Sequence, residues 1–380
     1  MTRTLLVTND FPPTLGGIQS YLRDYVDTLA PEDVVVFAST QDAAAAAAHD
    51  AGVTYRVYRW GRAVMLPTPA TAREMSRIIR REKIDTVWFG AAAPLGLLAP
   101  AARRAGASRI VASTHGHEVG WSMLPGARRA LRRIGTHCDH ITYISGYTLG
   151  RFRKAFGRDV AFSPLPSGVD TELFRPASAE RIRETRDEFS VPVGAPLIVC
   201  ISRLVPRKGQ DQLIRALPGI LSRHPDVRLL IVGEGGYRRR LSAMIPEESA
   251  DNVRLTGKLE FDAMRRLLAA ADVFAMPCRT RGGGLDVEGL GIVYLEAQAS
   301  GVPVIAGDSG GAPETVTPET GIVVGGRDTI ALTDAVNRLL DDADLRERMG
   351  VAGRRHVLER WTWDIMGARL RSVLAGTASV

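Results

Sequence analysis

Leu197-Ile198-Val199-Cys200-Ile201-Ser202-Arg203-Leu204-Val205-Pro206-Arg207-Lys208-Gly209 opens with an apolar run, breaks into a polar loop, and gives way to a segment of helical period from Gln210. A short run rich in β-branched residues, with no polar alternation, suits a strand covered on both faces, which is the setting of a parallel sheet. In an open α/β sheet, ligands bind beyond the carboxyl ends of the strands. Arg203 and Lys208 stand there, where fixed charges can neutralise a diphosphate, the more so as a leaving group gains charge. A solvated basic loop is the plain alternative.

The same strand-to-helix alternation recurs on both sides of this stretch. Thr4 to Thr8, Val34 to Ala38, Thr86 to Phe89, Arg109 to Ser113 and His140 to Ile144 form one series. Leu197 to Ile201, Arg228 to Val232, Val253 to Thr256, Asp272 to Met276, Val302 to Ala306 and Gly321 to Val324 form another. The fold class expected is α/β, with two doubly wound Rossmann-like domains. Pro164, Pro166, Gly168 and Pro176 interrupt any regular element, which places a hinge near Gly168. The domains predicted are residues 1–168 and 169–363, with a break at Trp361-Thr362-Trp363 and a C-terminal helix at about 364–380 packing back on the first.

A chain of 380 residues fits two such domains, and 45% hydrophobic with 24% charged residues reads as globular throughout. Cys138, Cys200 and Cys278 lack C-x-x-C spacing, against a disulfide framework or structural zinc and in favour of a reducing cytoplasm. No apolar segment has the length of a membrane span, and Met1 to Leu5 enters a strand with no apolar leader before it, so any membrane contact is expected to be peripheral. The net charge of +7 lies in one half: residues 1–178 carry 22 Lys and Arg against 15 Asp and Glu, residues 179–380 carry 27 of each. That imbalance suits an anionic partner of the first half. Arg128, Arg129, Arg132 and Arg133 form i, i+4 pairs on one helix face, with Trp121, Met123, Leu124 and the loop Val64-Met65-Leu66-Pro67 as nearby apolar contacts.

Three further segments can carry chemistry. Gly16-Gly17 precedes a helical run and lets a phosphate approach free backbone N–H groups, although it does not match G-x-G-x-x-G. Arg281-Gly282-Gly283-Gly284-Leu285-Asp286-Val287-Glu288-Gly289-Leu290-Gly291 leads into a helix, with Glu288 in the Gly-rich loop and Glu296 about one turn into the helix. A carboxylate placed like Glu296 can accept two ribose hydroxyls. Thr114-His115-Gly116-His117-Glu118 follows a strand, and its spacing is not that of a zinc site. His115, nearer the strand end, is expected closer to a reacting centre than His117.

Together these residues resemble the family-4 glycosyltransferases of the GT-B fold. Gly16-Gly17, Thr114-His115, Arg203 with Lys208, Gly257, Glu288 with Glu296, and Ala299-Ser300-Gly301-Val302-Pro303-Val304-Ile305 carry the likeness across the whole chain. Longer stretches, among them Met65-Leu66-Pro67-Thr68-Pro69 and Ser113 to Trp121, are similar to the actinobacterial enzymes of that family that add mannose from GDP-mannose to a phosphatidylinositol monomannoside. The resemblance implies a retaining transferase whose two domains face each other across a cleft, the first taking the acceptor and the second the nucleotide sugar. It assigns the diphosphate to Arg203 and Lys208, the ribose to Glu296, the donor sugar to Glu288, and a place near that sugar to His115. Gly16, Gly17, Lys258, Leu259, Gly291, Ile292 and Val293 complete the implied donor site, with no metal and no cofactor beyond the donor itself. The partners implied are GDP-mannose and an anionic phospholipid or glycolipid on the inner face of the cell membrane, and no nucleic acid.

Two other classes compete. A nicotinamide-dependent oxidoreductase requires the dinucleotide fingerprint, which neither first strand shows. A non-catalytic basic module explains the charge but leaves Glu288 and Glu296 without a task.

Overall fold

In the computed structural model, which describes residues 3–14 and 16–378, Thr4–Thr8 (β1) is buried along its whole length in the interior of a parallel sheet. The other strands of that sheet are Val34–Ser39 (β2), Arg56–Trp60 (β3), Thr86–Phe89 (β4), Arg109–Ser113 (β5), His140–Tyr143 (β6) and Ala161–Pro164 (β7), in the order β3-β2-β1-β4-β5-β6-β7. β1, β2 and β4 are buried at every residue. Leu5, Val7, Val35, Phe37, Val87 and Phe89 share one hydrophobic core.

A second parallel sheet contains Leu197–Ile201 (β8), Arg228–Val232 (β9), Val253–Gly257 (β10), Val273–Met276 (β11), Val304–Gly307 (β12) and Gly321–Val324 (β13), in the order β10-β9-β8-β11-β12-β13. Ile198, Ile231, Phe274, Ile305 and Leu332 belong to its main core. Strand order reverses between β1 and β4 in the first sheet and between β8 and β11 in the second. At each such point the loops diverge and open a crevice beyond the carboxyl ends.

The chain forms two compact units, one of residues 1–168 with 363–380 and one of residues 169–362. Val169 N–H donates to the Trp361 carbonyl at 2.7 Å, and Val169 bridges Thr362, so the second unit's first and last residues lie side by side. The last helix, Trp363–Ala375, belongs to the first unit and is shorter than the expected 364–380; Ser379 and Val380 lie outside the described residues. Arg109 Nε donates to the Val373 carbonyl at 2.8 Å, Arg371 Nη1 to the Thr28 carbonyl at 2.9 Å, and Tyr25 meets Trp363 edge to face. Met366, Leu370, Val373 and Leu374 are buried on the helix's inner face.

β3 and β7 were not expected from the sequence. They are the two edges of the first sheet. Arg56-Val57-Tyr58-Arg59-Trp60 is half exposed, and Ala161-Phe162-Ser163-Pro164 ends in a proline, so neither shows the unbroken apolar pattern of an inner strand.

Candidate active site

In the second unit, the loops after β8 and β11 leave neighbouring strands at the switch point, and they bring Lys208 and Glu288 together. Lys208 Nζ lies 2.7 Å from Glu288 Oε2, with both side chains largely buried. Arg207 stands between two acids, Nη1 at 3.3 Å from Asp286 Oδ1 and Nε at 3.8 Å from Glu288 Oε2. The Glu288 backbone is pinned on both sides: its N–H donates to Ser309 Oγ at 3.2 Å, and its carbonyl accepts from Gly311 N–H. A Cβ on Gly310, at φ +59°, would sit 1.9 Å from the Glu288 carbonyl oxygen, so glycine there is required by both conformation and space.

Gly291 begins the helix Ile292–Ala299 in a left-handed conformation, φ 86°, and no side chain caps it. The first N–H groups of that helix, at Ile292 and Val293, are therefore the uncapped donors of its N-terminus. Tyr294 anchors the helix by donating its hydroxyl to the Met276 carbonyl. Glu296 has no hydrogen bond or ion pair to its carboxylate among the described residues, and burial pushes that carboxyl up to about 7. Arg203 is exposed, and its guanidinium too has no protein partner among the described residues. Lys258 is exposed and Leu259 half-buried, just after β10, whose last residue Gly257 has φ 81°. Anion-neutralising groups, uncapped amides and an unsatisfied carboxylate thus all sit beyond the carboxyl ends of one sheet.

The first unit presents a second polar cluster at its own strand ends. His115 Nε2 is 2.6 Å from the Gly90 carbonyl, so Nε2 carries the proton and Nδ1 is left as an acceptor. Burial holds the imidazole down at about 4, so it is neutral at physiological pH, and Tyr21 packs edge-on against it. His117 is exposed, 3.2 Å from Oε1 of the buried Glu118. Glu118 Oε2 accepts the N–H groups of His115 and Gly116, each at 3.1 Å, and fixes the loop. Gly16 and Gly17 are exposed at the start of the helix Gly17–Val26; a Cβ on Gly16 would strike Gln19, whereas Gly17 has open space.

Arg128, Arg129, Arg132 and Arg133 are all exposed on the helix Pro125–His137, which turns Leu131 and Ile134 into the core. Met123, Leu124, Val64 and Leu66 are exposed as well. Met65, expected among the apolar surface contacts, is instead fully buried: its N–H donates to Asn9 Oδ1, its carbonyl accepts from Asn9 Nδ2, and its side chain joins the core. Trp121 is half-buried, packed in part against that core.

Sequence reasoning passed over Arg207, Glu118 and Asp10. Asp10 accepts from Gln19 Nε2 at 2.9 Å, and burial raises its carboxyl. All three follow a strand's carboxyl end in sequence, a position that could have singled them out. No group of His, Cys, Asp and Glu suited to a metal, and no helix long and apolar enough to cross a membrane, occurs among the described residues.

Two parallel-sheet Rossmann-like units, the second with an anion-ready loop at its switch point, define the class: a glycosyltransferase of GT-B type. Solved structures of that fold superpose along the chain. Anabaena HepE in complex with UDP gives a TM-score of 0.83 at 19% identity, covering 99% of this chain and 100% of that one. WaaG, a glycosyltransferase involved in lipopolysaccharide biosynthesis, gives 0.70 at 16%, covering 98% and 100%. Residues 15–173 match Glycosyltransferase Family 4 and residues 181–356 match Glycosyl transferases group 1. The GDP-mannose-dependent monoacylated alpha-(1-6)-phosphatidylinositol monomannoside mannosyltransferase of Corynebacterium glutamicum is 60% identical over 98% of this chain and 97% of its own length. The GDP-mannose-dependent alpha-(1-6)-phosphatidylinositol monomannoside mannosyltransferase of Mycolicibacterium smegmatis is 54% identical over 98% of each. The chain belongs to glycosyltransferase family 4.

Proposed function

We propose that this transferase moves mannose from GDP-mannose to a phosphatidylinositol monomannoside, with retention of configuration and without a metal, at the inner face of the membrane. Full-length identity to mannosyltransferases so named supports the donor and the acceptor. The observations that carry the mechanism are the Lys208–Glu288 pair at 2.7 Å and, on the helix that follows the Glu288 loop, the unpartnered carboxylate of Glu296.

In this reading Glu296 accepts the two ribose hydroxyls, Lys258 and Leu259 present backbone to the base, and the amides of Gly291, Ile292 and Val293 face the donor. Arg203, Lys208 and the amides of Gly16 and Gly17 take the diphosphate. As the glycosidic bond breaks, charge grows on the diphosphate, and fixed cations stabilise it without reorganising. Glu288, held in place by Lys208, accepts a hydroxyl of the donor sugar. The departing diphosphate receives the acceptor's proton on the same face, which preserves configuration with no carboxylate nucleophile. Neutral His115 offers Nδ1 as an acceptor near the sugar. The exposed arginines of the helix Pro125–His137 bring the first unit to anionic lipid.

The test is transfer and donor hydrolysis with a panel of sugar nucleotides, with and without phosphatidylinositol monomannoside in vesicles. Mannose transfer that requires GDP-mannose and the lipid, and survives chelator, is expected. Turnover with another nucleotide sugar alone, or with a soluble acceptor in preference to the lipid, would overturn the reading.

A further inference from the structure

The basic face of the first unit is not evenly charged. Ser122, Met123, Pro125, Arg128, Arg129 and Arg132 line a pocket of about 440 Å³, open to solvent, at the junction of the helices Glu118–Met123 and Pro125–His137. Arg133 lies on the same helix, also exposed, and does not line it. None of these guanidiniums has an ion pair or side-chain hydrogen bond among the described residues. The surrounding sequence withholds counter-charge too: from Val119 to Arg158 there are eight Lys and Arg and a single acid, Asp139, which is tied to Arg103. Met123, 50% exposed, stands on the rim and Leu124, 63% exposed, is next to it, large apolar side chains facing outward beside a cationic pocket.

We propose that this pocket is a binding site for the phosphodiester of one membrane lipid, with Arg128, Arg129 and Arg132 holding the phosphate and Met123 and Leu124 entering the headgroup layer. The inference rests on the membrane reading above and sharpens it, from attraction to a charged surface into recognition of a single headgroup. Guanidinium forks pair bidentately with phosphate and carboxylate alike, so what favours phosphate is that three of them line one pocket, where a phosphate's several oxygens can engage more forks at once than a carboxylate's two. A diffuse basic face makes no such distinction: each arginine near an anionic surface then counts alike, about 1 kcal/mol or roughly fivefold in binding. The adjoining apolar pair favours a lipid over free phosphate, because only a lipid offers something for both features to meet.

The experiment compares the full-length protein with Arg132→Gln and Arg133→Gln, each removing one charge from an exposed position of the same helix, by vesicle co-sedimentation. One set of vesicles contains phosphatidylcholine with phosphatidylinositol; another carries the same surface charge from oleate, which has no phosphate. Expected are a loss about tenfold larger for Arg132→Gln than for Arg133→Gln on phosphatidylinositol vesicles, near-equal losses on oleate vesicles, and little competition by millimolar inorganic phosphate. Equal losses on phosphatidylinositol would overturn the pocket and leave a diffuse basic face. Complete displacement by inorganic phosphate would overturn the lipid as its source. Mannosyl transfer measured on the same samples separates the two levels: a pocket that fails with transfer intact leaves the proposed function standing, whereas absent transfer to every lipid removes the reading on which it rests.

Discussion

Glu296 and His115 are half-buried titratable groups whose desolvation shifts them in opposite senses. Burial raises the Glu296 carboxyl to about 7, which favours its neutral form in the fold; the associated stability is present below about 4.5 and lost as pH rises through about 7. A ribose diol donating two hydrogen bonds prefers the ionised form, so nucleotide binding should expel a proton near neutrality. Between pH 6 and 8 the GDP affinity of the wild type is expected to rise relative to Glu296→Gln, with proton release seen by calorimetry in buffers of different ionisation enthalpy; parallel pH curves for the two proteins would remove Glu296 from the ribose. Lys208→Ala should lower transfer about a hundredfold or more, because it removes a charge needed most at bond breaking, and should also lower the melting temperature, because it leaves the largely buried Glu288 without its ammonium. His115→Ala should cost more activity than His117→Ala, since His117 is exposed while His115 is locked on Gly90; the reverse order in steady-state assays would exchange their roles. Glu288, Glu296 and Lys208 were legible in the sequence as residues at strand ends and in a Gly-rich loop. Their pairing was not, because nothing in the spacing of Lys208 and Glu288 says that the carboxylate meets the ammonium and not only a ligand. Met65 was misread for a related reason: an apolar residue within an exposed loop looks like its neighbours until Asn9 is seen to hold its backbone.

At the scale of elements, every strand of the second sheet and the inner strands of the first could be read from sequence, and the two edge strands of the first sheet could not. β1, β4, β5, β8 and β9 lie inside their sheets and have the bounds that their runs suggest, since burial on both faces favours apolar side chains at most positions; β13, an edge of the second sheet, has its expected bounds as well. β3 and β7 have one open edge each and carry arginines or a proline, the same features that protect an edge from pairing with another chain. The final helix was legible through the break at Trp361-Thr362-Trp363, and its packing makes it an integral part of the first unit. Leu370 is completely buried, so Leu370→Ala should cost about 2–5 kcal/mol, read as a lowered denaturation midpoint. Unchanged stability would mean that this helix is only loosely attached.

For the whole molecule, acid should weaken the first unit through its desolvated neutral histidines. His115 and His140 are both held down at about 4, each chiefly by burial, and the Arg109 charge adds to the effect at His140. The unfolded chain takes up their protons near 6.5 while the folded unit refuses them, so stability is lost as pH falls from 6.5 towards 4, on the order of 1–3 kcal/mol for each. Melting curves of His140→Gln should fall less steeply with acid than those of the wild type; identical slopes would show that His140 protonates freely in the fold. The two junctions between the units have a different consequence. Gly168 packs so closely on Trp363 that a Cβ there would lie 3.0 Å from the Trp363 Cα, and Val169 bridges Thr362. In sequence, the second unit is therefore an insertion within the first, entered and left at one point. The ribosome makes Met366, Leu370 and Leu374 only after all of residues 169–362, so the first unit, begun first, is completed last, and the side of β4 and β5 that this helix covers must wait while an entire second unit is synthesised.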